Sequence, residues 1–381
     1  MNNMCDELYY MNIALKFADK FDYITHPNPC VGCILVKDGN IISYGASEQQ
    51  GGRHAEVAAI DNAKLAGIDI SGCTAYVTLE PCCHFGKTPP CTSYLLKHNI
   101  RNVIVGLPDP NPLVSGKGVE ILKQNGVNVK ILDDISMKEK ISFSMRGFLN
   151  YHTKHKPWIR VKLASSIDGV MSLNNGVSKW ITSSEARLHN QKLRARAGAI
   201  LTSIETIIAD NPLMNVRNLP YSTENNLQII RQPLRIVLDT QGRGVNLANY
   251  NIFKNQNEFP LLWICGENCA DDNFNKLAYI TNVIKLPNDI YSHICLKSVI
   301  DYIYKLNINE IHVEAGATLT SAFIKQDLFD EIALYQAPVF LGNGNRLMKC
   351  LELESLEYLN KLKIVNNNII GEDLFINMIK K

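Results

Sequence analysis

The sequence predicts a protein of two α/β domains, and three observations support this fold class. The chain has 381 residues, which suggests two domains, or at most three, at about 100–200 residues each. Apolar runs typical of strands alternate with segments of helical spacing, which favours sandwiches of helices on a mixed sheet. This alternation stops at a polar stretch ended by proline, residues 151–157, and begins again after it. We therefore predict domains over residues 1–149 and 156–381.

The elements of the first domain follow from periodicity and turn residues. Apolar side chains recur at helical spacing over residues 8–20 and predict a first helix. A strand is predicted over 31–36, and Lys37-Asp38-Gly39-Asn40 is typical of a hairpin turn that leads into a returning strand over 41–44. The same criteria predict a helix over 54–66, a strand over 74–79, a helix over 92–98, a strand over 102–106, a helix over 118–125, a strand over 127–132 and a helix ending near 149.

The second domain shows the same alternation after residue 157. One helix is predicted over residues 184–197. Strands are predicted over 158–164, 199–202, 234–238, 260–265, 310–313 and 331–335. Residues 216–232 and 240–259 are rich in asparagine, and we expect them to form surface loops.

Composition limits the classes of function. A net charge of +2 gives no argument for a nucleic-acid or membrane partner. The N-terminus has acidic residues where a signal peptide needs positive charge, and no stretch approaches the roughly 20 apolar residues of a membrane span. Eleven cysteines without a secretory signal indicate a reducing compartment. We therefore expect a cytoplasmic protein without a nucleic-acid or membrane partner.

The strongest local pattern is a set of zinc ligands. His54 begins a predicted helix, Cys82 follows a proline, and Cys91 comes nine positions later. These three donors suit a catalytic zinc ion, which keeps its fourth position for water. Glu56 stands two residues after His54 and is expected to carry a proton from water to a leaving amine.

The spacing of these residues resembles one class of zinc deaminase. Eight residues separate the cysteines, in Pro81-Cys82-Cys83-His84-Phe85-Gly86-Lys87-Thr88-Pro89-Pro90-Cys91, where nucleobase deaminases have two. The segment resembles the corresponding loop of the deaminases of riboflavin biosynthesis. Matching pieces also surround it, over residues 26–32, 52–57, 78–82 and 109–112. The resemblance implies a cytidine-deaminase-like α/β/α sandwich and, as substrate, 2,5-diamino-6-(5-phosphoribosylamino)pyrimidin-4(3H)-one.

Three further residues are candidates to hold that substrate. Asn28 is expected to position the pyrimidine ring, since an amide both donates and accepts hydrogen bonds. His84 and Lys87, in the loop between the cysteines, are candidates to bind the ribose phosphate.

Other interpretations of the cysteines and histidines remain open at this point. A structural zinc site would use the same ligands and needs a fourth, which Cys83 or His84 would supply. Cys30 and Cys33 have the spacing of a redox or ligand pair, but strand alternation favours core packing. The other cysteines are interpreted as packing or surface residues.

The second half resembles the reductase domain of the bifunctional riboflavin-biosynthesis enzymes. The matching pieces, in order, are residues 162–169, 178–187, 193–196, 206–212, 216–217 and 313–319. The resemblance implies a fold like that of dihydrofolate reductase and NADPH as the cofactor. It also implies that hydride from the nicotinamide reduces C1 of the sugar, as an imine, to an open ribityl chain.

The resemblance also implies two groups of contact residues. Glu314-Ala315-Gly316 ends a strand and opens a helix, where glycine lets backbone amides approach a phosphate. The cofactor contacts implied are Ala164, Trp180, Thr206, Asp210 and Gly316. The substrate contacts implied are Ser178, Arg194, Met214, Arg217 and Glu314.

The arginines are assigned by charge and helix spacing. Arg194 and Arg217 are expected to clamp the substrate phosphate bidentately. Arg196, two residues further along the helix, is expected to face elsewhere, at the surface. Asp210 or Glu314 is a candidate to manage the proton of the reduction.

Three alternatives to a bifunctional enzyme stay open on sequence alone. One is a zinc deaminase of tRNA or free nucleosides with an unrelated C-terminal domain, which the spacing of the cysteines and the near-neutral charge disfavour. Another is an inactive, zinc-stabilised binding protein, which would not need Glu56. The third is a chain with one active half. The resemblance also implies a homo-oligomer formed through the reductase domains.

Overall fold

The structure is a computed structural model that describes residues 3–86, 88–219, 231–348 and 361–381. Contacts between residues divide the chain into two units, Met1–His155 and Lys156–Lys381. Lys87 and part of the predicted asparagine-rich loop lie outside the described residues. Among the described residues, no helix is both long and apolar enough to cross a bilayer.

The first unit is a five-stranded mixed sheet with helices. The strand order is β2-β1-β3-β4-β5. The hairpin β1–β2 and the pair β1–β3 are antiparallel, whereas β3, β4 and β5 are parallel. The strands are β1 (Gly32–Lys37), β2 (Asn40–Ala46), β3 (Thr74–Leu79), β4 (Asn102–Leu107) and β5 (Asn128–Ile131). The helices are α1 (Asn3–Ala18), α2 (Ala55–Leu65), α3 (Cys91–Lys97), α4 (Lys117–Gln124), α5 (Ile135–Ser144) and α6 (Arg146–Lys154).

Two glycines let helices lie on opposite faces of the hairpin. A Cβ atom on Gly32 would lie 2.0 Å from the carbonyl oxygen of Ala14 in α1, and one on Gly45 would lie 2.1 Å from that of Ala55 in α2. Gly45 pairs with Cys33, the next residue after Gly32, so the two glycines face opposite sides of the sheet. The unit is therefore a sandwich, and close packing on Gly45 fixes the N-terminus of α2.

The second unit has a nine-stranded sheet of order β11-β10-β9-β8-β12-β6-β13-β16-β15. Its strands are parallel from β11 to β13, and β16 and β15 are antiparallel to their neighbours. Its strands are β6 (Trp158–Ser166), β8 (Ala199–Ser203), β9 (Leu234–Leu238), β10 (Leu261–Gly266), β11 (Asn282–Leu286), β12 (Glu310–Val313), β13 (Glu331–Ala337), β15 (Leu362–Ile370) and β16 (Asp373–Lys380). A separate pair consists of β7 (Val170–Leu173) and β14 (Gly344–Arg346). The helices are α7 (Ser184–Arg196), α8 (Ile204–Asp210), α9 (Asp271–Ala278), α10 (Leu296–Lys305) and α11 (Ala317–Lys325).

A buried ion cluster joins the central strands of this sheet to the end of α7. Arg160 is fully buried and donates to Glu331 at 2.9 Å and to Glu310. Arg196 donates from Nε to Glu310 at 3.1 Å. The prediction that Arg196 lies at the surface is therefore wrong, because the last turn of α7 packs against β12 and brings Arg196 to a buried carboxylate.

The α/β fold class is confirmed, and two local predictions are wrong. Helix α6 continues to Lys154, so most of the polar stretch predicted as a linker is the end of a helix with basic residues in its last turn. Residues 240–259 are not simply a surface loop. They contain two 3₁₀ turns, Arg243–Leu247 and Asn251–Phe253, and Ile252 and Phe253 are buried in the core.

Candidate active sites

The three predicted zinc ligands meet in the first unit because each stands at the end of an element. His54 is the N-cap of α2, Cys82 follows β3, and Cys91 is the first residue of α3. The Nδ1 atom of His54 lies 3.5 Å from Sγ of Cys82 and 3.3 Å from Sγ of Cys91. Their candidate ligand atoms all lie within 4.8 Å of one another.

This donor set fits a zinc ion. One imidazole nitrogen and two thiolates are the ligands that zinc prefers, and three protein ligands leave a position open. The Nε2 atom of His54 lies 3.4 Å from the hydroxyl of Thr88, which orients the ring as outer-shell partners of metal-bound histidines do. Among the described residues the cluster holds no fourth ligand. Cys83, the candidate fourth ligand, instead contacts the carbonyl of Leu113 at 3.7 Å.

The two thiols are electronically different. The pKa of Cys82 is lowered, chiefly by its hydrogen bond with the Cys91 thiol and further by His54. The backbone N–H of Cys91 also donates to Sγ of Cys82 at 3.3 Å. That N–H belongs to the first turn of α3, where a helix stabilises negative charge. The site therefore favours a thiolate even before a cation binds.

Glu56 lies in the first turn of α2 and lines the same cavity as His54 and Cys82. Its side chain is buried. Burial, and next the nearby Cys82 thiolate, raise the pKa of Glu56 to about 7. A carboxyl group that gains and loses a proton near neutral pH suits general acid–base catalysis.

The cavity beside these residues has a volume of about 280 Å³. Asn28 and His84 line it, as does Phe148. The Nδ1 atom of His84 is buried, and among the described residues it has no hydrogen-bond partner. Lys87, also predicted to bind substrate, lies outside the described residues.

Asp109 is a cavity residue that the sequence did not single out. Burial raises the pKa of its carboxyl group to about 6. The neighbouring Glu80 is structural, because its carboxylate accepts from the backbone N–H groups of Asp109, Gly116 and Val119 at 3.0–3.2 Å. Both acids line the cavity and lie in the matching pieces of the sequence, but only the fold shows that Glu80 binds backbone N–H groups.

A polar chain connects the helices that carry the ligands. Arg53 donates to Glu48 from Nε at 2.9 Å and lies 3.6 Å from Asp61 on α2. Asp61 in turn accepts a hydrogen bond from Tyr94 on α3. The chain thus joins the segment before His54 to the helix that begins at Cys91.

The second unit has a larger cavity, of about 730 Å³, which is within the size range of ligand pockets. All ten residues predicted for the reductase site line it. They are Ala164, Ser178, Trp180, Arg194, Thr206, Asp210, Met214, Arg217, Glu314 and Gly316.

Most N–H groups of the Arg194 guanidinium are already hydrogen-bonded within the protein. Its Nε and Nη2 atoms donate to the two oxygens of Glu314 at 2.5 and 2.8 Å, and Nη1 donates to the carbonyl of Asn215 at 3.0 Å. Of the five N–H groups of its guanidinium, two are left for a ligand. The pKa of Arg217 is lowered by burial and by repulsion from Arg194. Arg217 is therefore better placed than Arg194 to bind an anion.

Lys162 also lines this cavity. It lies in one of the matching pieces of the sequence, residues 162–169, but no role is predicted for it there. It lines the cavity from β6, and its ammonium lies 5.8 Å from the centre of the Tyr335 ring. Burial lowers the pKa of Lys162, and Glu314 partly offsets this effect. A strand pattern indicates which face a lysine occupies but not whether that face opens into a cavity.

Gly316 is the N-cap of α11, with φ of −70° and ψ of 172°. Any residue adopts these angles, and a Cβ atom built on Gly316 would meet no atom within 4 Å. The glycine leaves open space in front of the helix N-terminus, where backbone N–H groups bind anions.

Comparison with known proteins gives a family match for each of the two units. Residues 4–107 match the cytidine and deoxycytidylate deaminase zinc-binding region. Residues 157–376 match the RibD C-terminal domain. These matches support a zinc-binding deaminase domain, and a reductase domain suited to a nicotinamide cofactor.

Two relatives match this chain over nearly its whole length. The riboflavin biosynthesis protein RibD of Buchnera aphidicola is 39% identical over 97% of both chains. That of Escherichia coli is 36% identical over 99% of this chain and 100% of the relative.

Two solved structures cover the whole of this chain and are themselves wholly covered. RibD of Acinetobacter baumannii has a TM-score of 0.83 at 36% identity. A diaminohydroxyphosphoribosylaminopyrimidine deaminase/5-amino-6-(5-phosphoribosylamino)uracil reductase of Thermotoga maritima has a TM-score of 0.81 at 29% identity. The chain belongs to the RibD family, the bifunctional deaminase–reductases of riboflavin biosynthesis.

Proposed function

We propose that this chain deaminates 2,5-diamino-6-(5-phosphoribosylamino)pyrimidin-4(3H)-one in its first unit and then, with NADPH, reduces the ribosyl group of the product to ribityl in its second. The observation that carries the proposal is the convergence of His54, Cys82 and Cys91 beside the buried carboxyl group of Glu56. The Thermotoga maritima relative is described by the same pair of activities.

In the deamination, His54, Cys82 and Cys91 would hold a zinc ion, whose Lewis acidity would make water a nucleophile near neutral pH. Glu56 takes a proton from the attacking water and delivers it to the amine, which leaves the ring as ammonia. A pKa of about 7 lets the same carboxyl group accept and release that proton.

The substrate would be held by the other cavity residues. The amide of Asn28 suits the ring edge, which offers both donors and acceptors. The buried Nδ1 atom of His84 is available for a hydrogen bond to substrate. Lys87 remains a candidate phosphate ligand on the basis of sequence.

In the reduction, NADPH supplies the hydride. Its phosphates would lie against the N-terminus of α11, where Gly316 leaves room. Trp180, which is 70% exposed although it lines the cavity, offers its ring to a bound ligand. Ala164, Thr206 and Asp210 complete the proposed cofactor contacts.

The substrate of the reduction would be bound mainly through charged side chains of the cavity. Arg217 and the free N–H groups of Arg194 are proposed to hold the phosphate, and Lys162 to donate to an acceptor on the ring. Ser178, Met214 and Glu314 line the same cavity. Burial alone would raise the pKa of Glu314, but Arg194, and next His312, hold it well below its ordinary range. We therefore assign Glu314 as an acceptor and not as the proton donor.

The proposed partners are small molecules and further copies of the chain. A net charge of +2 supports the exclusion of nucleic acid. The edge strand β15 exposes Ile364 and Ile369, and in the described part of the chain its outer edge pairs with no other strand, which suits association between copies.

A coupled assay tests the proposal. Purified protein with zinc and the diaminopyrimidinone is expected to release ammonia without NADPH and to consume NADPH only after deamination. Glu56→Gln is expected to keep zinc and to lose at least about a hundredfold of the deamination rate, because it removes the proton carrier. The same variant should still reduce the deaminated compound.

Two results would contradict the proposal. Unchanged ammonia release by Glu56→Gln would show that another group moves the proton. Zinc binding without turnover of the diaminopyrimidinone would show that the substrate is a different amine.

A further inference from the structure

The carboxylate of Glu314 is held by three side chains, and they favour one of its oxygens. Oε1 accepts from Nε of Arg194 at 2.5 Å and from Nδ2 of Asn190 at 3.1 Å, and it lies 3.2 Å from Nε2 of His312. Oε2 accepts from Nη2 of Arg194 at 2.8 Å. A carboxylate oxygen has about two lone-pair sites, so Oε1 is saturated and Oε2 is not.

His312 is the buried donor in this arrangement. Its Nε2 atom lies 3.2 Å from Oδ1 of Asn190 as well as 3.2 Å from Oε1 of Glu314. Both are acceptors, so Nε2 carries the hydrogen. Nδ1 is buried and has no hydrogen-bond partner among the described residues, so a second proton there would be a buried N–H group without an acceptor. His312 is therefore a neutral donor, and burial lowers its pKa in agreement.

Asn190 completes the network of side chains around Glu314 and belongs to a different element of the fold. It lies on α7, whereas His312 lies on β12 and Glu314 directly follows that strand. Its Nδ2 atom donates to Glu314, so its Oδ1 atom is turned to His312. The three side chains form a ring in which each contacts the other two. Such a closed and buried network fixes the orientation of its members.

We propose that His312 and Asn190 are positioning residues of the reductase, which hold Oε1 of Glu314 so that Oε2 is presented as a fixed, ionised acceptor to a hydroxyl or N–H group of the substrate. This inference rests on the proposed contact between Glu314 and the substrate. Neither His312 nor Asn190 needs to touch the reacting atoms. Arg194 neutralises the carboxylate, and the two neutral donors set its direction.

The size of the effect follows from the bonds that are lost. A hydrogen bond to a charged group is stronger than one between neutral groups. Arg194 still holds Glu314 when His312 is replaced, so we expect the loss to be modest, about tenfold, which corresponds to about 1.4 kcal/mol. Because the acceptor binds substrate in the ground state and in the transition state, KM should change more than kcat.

The test compares two replacements of His312 in the full-length, zinc-loaded chain. His312→Leu removes the donor, whereas His312→Gln keeps an N–H group at about the same distance from the backbone. We expect His312→Leu to raise KM for the deaminated substrate about tenfold, with a small change in kcat, and His312→Gln to restore it to within about twofold. Ammonia release by the same molecules reports on the first unit, and the small change in kcat reports on the folding of the second.

A second variant distinguishes the loss of the positioning contact from misfolding caused by the replacement of His312. Asn190→Leu removes the amide from α7 and leaves strand β12 as it is, and it should raise KM in the same way. Equal KM values for His312→Leu and His312→Gln, or a wild-type KM for Asn190→Leu, would overturn the inference.

A double-mutant cycle separates this inference from the function it rests on. If His312 acts through Glu314, then His312→Leu adds nothing to the effect of Glu314→Gln. A full additional rise in KM on the Glu314→Gln background would overturn the positioning role. Wild-type reduction by Glu314→Gln alone would instead remove the proposed contact between Glu314 and substrate.

Discussion

Gly316 and Gly45 illustrate two different reasons for a glycine. A Cβ atom on Gly45 would lie 2.1 Å from a backbone oxygen of α2, so the fold itself requires the missing side chain. A Cβ atom on Gly316 would meet nothing, and the backbone angles of Gly316 are open to any residue. Neither close packing nor backbone conformation therefore explains Gly316. A ligand that approaches the N-terminus of α11 does.

Gly316→Val should weaken the binding of NADPH and destabilise the protein only slightly, because valine is a poorer N-cap than glycine but its Cβ atom would meet no other atom. The branched side chain would occupy the space in front of the α11 amides, and we expect the Kd of NADPH to rise about tenfold or more. Fluorescence titration with NADPH measures this change, and a thermal melt of the same variant should show only a small decrease in melting temperature. A lower melting temperature with an unchanged Kd would show that the fold, and not the cofactor, requires glycine.

At the scale of elements, helices α2 and α3 have to keep a fixed separation, because one begins after His54 and the other at Cys91. The chain of Glu48, Arg53, Asp61 and Tyr94 spans the two helices. The side chain of Arg53 is 40% exposed, so each of its ion pairs adds little to the stability of the fold. Its position suggests that it acts instead on the geometry of the metal ligands.

Arg53→Met should accelerate the loss of zinc. An exposed ion pair contributes up to about 1 kcal/mol, so we expect release to a chelator to become about two- to fivefold faster. Lys130→Met is the matched control, because it removes the ion pair with Glu7 on the surface of the same unit. Chelator competition followed with a zinc-sensitive dye compares the two variants. Equal release rates for Arg53→Met and Lys130→Met would refute this role.

At the scale of the whole molecule, the sequence was sufficient to predict those features of the fold and of the sites that depend on residue type and spacing. The ligands His54, Cys82 and Cys91 were predicted because zinc chemistry restricts the choice of side chains, and each ligand lies at an element end that periodicity locates. The predictions did not extend to interior pairings. Arg196 meets Glu310 across 114 residues, and Asn190 meets Glu314 across 124. A helical or strand pattern indicates which side chains of an element face the interior. It does not indicate which residue of another element each side chain contacts.

The final prediction concerns the independence of the two activities. The residues that line the deaminase cavity all come from Met1–His155, and those of the reductase cavity all come from Lys156–Lys381. Among the described residues, each cavity is therefore formed within one unit, and the deaminated pyrimidine is a small molecule that can diffuse through solution. A mixture of Glu56→Gln and Gly316→Val chains should convert the diaminopyrimidinone to the ribitylamino product after a lag, although each variant alone is impaired in one step.

The lag in that mixture should shorten as the concentration of the Glu56→Gln chain rises, because the intermediate then meets a working reductase sooner. Chromatography of the intermediate and of the product over time measures both the lag and the yield. If the mixture accumulates the deaminated intermediate and makes no more product than Gly316→Val alone, the reductase does not accept substrate from solution. The wild-type chain would then have to pass its intermediate directly from one site to the other.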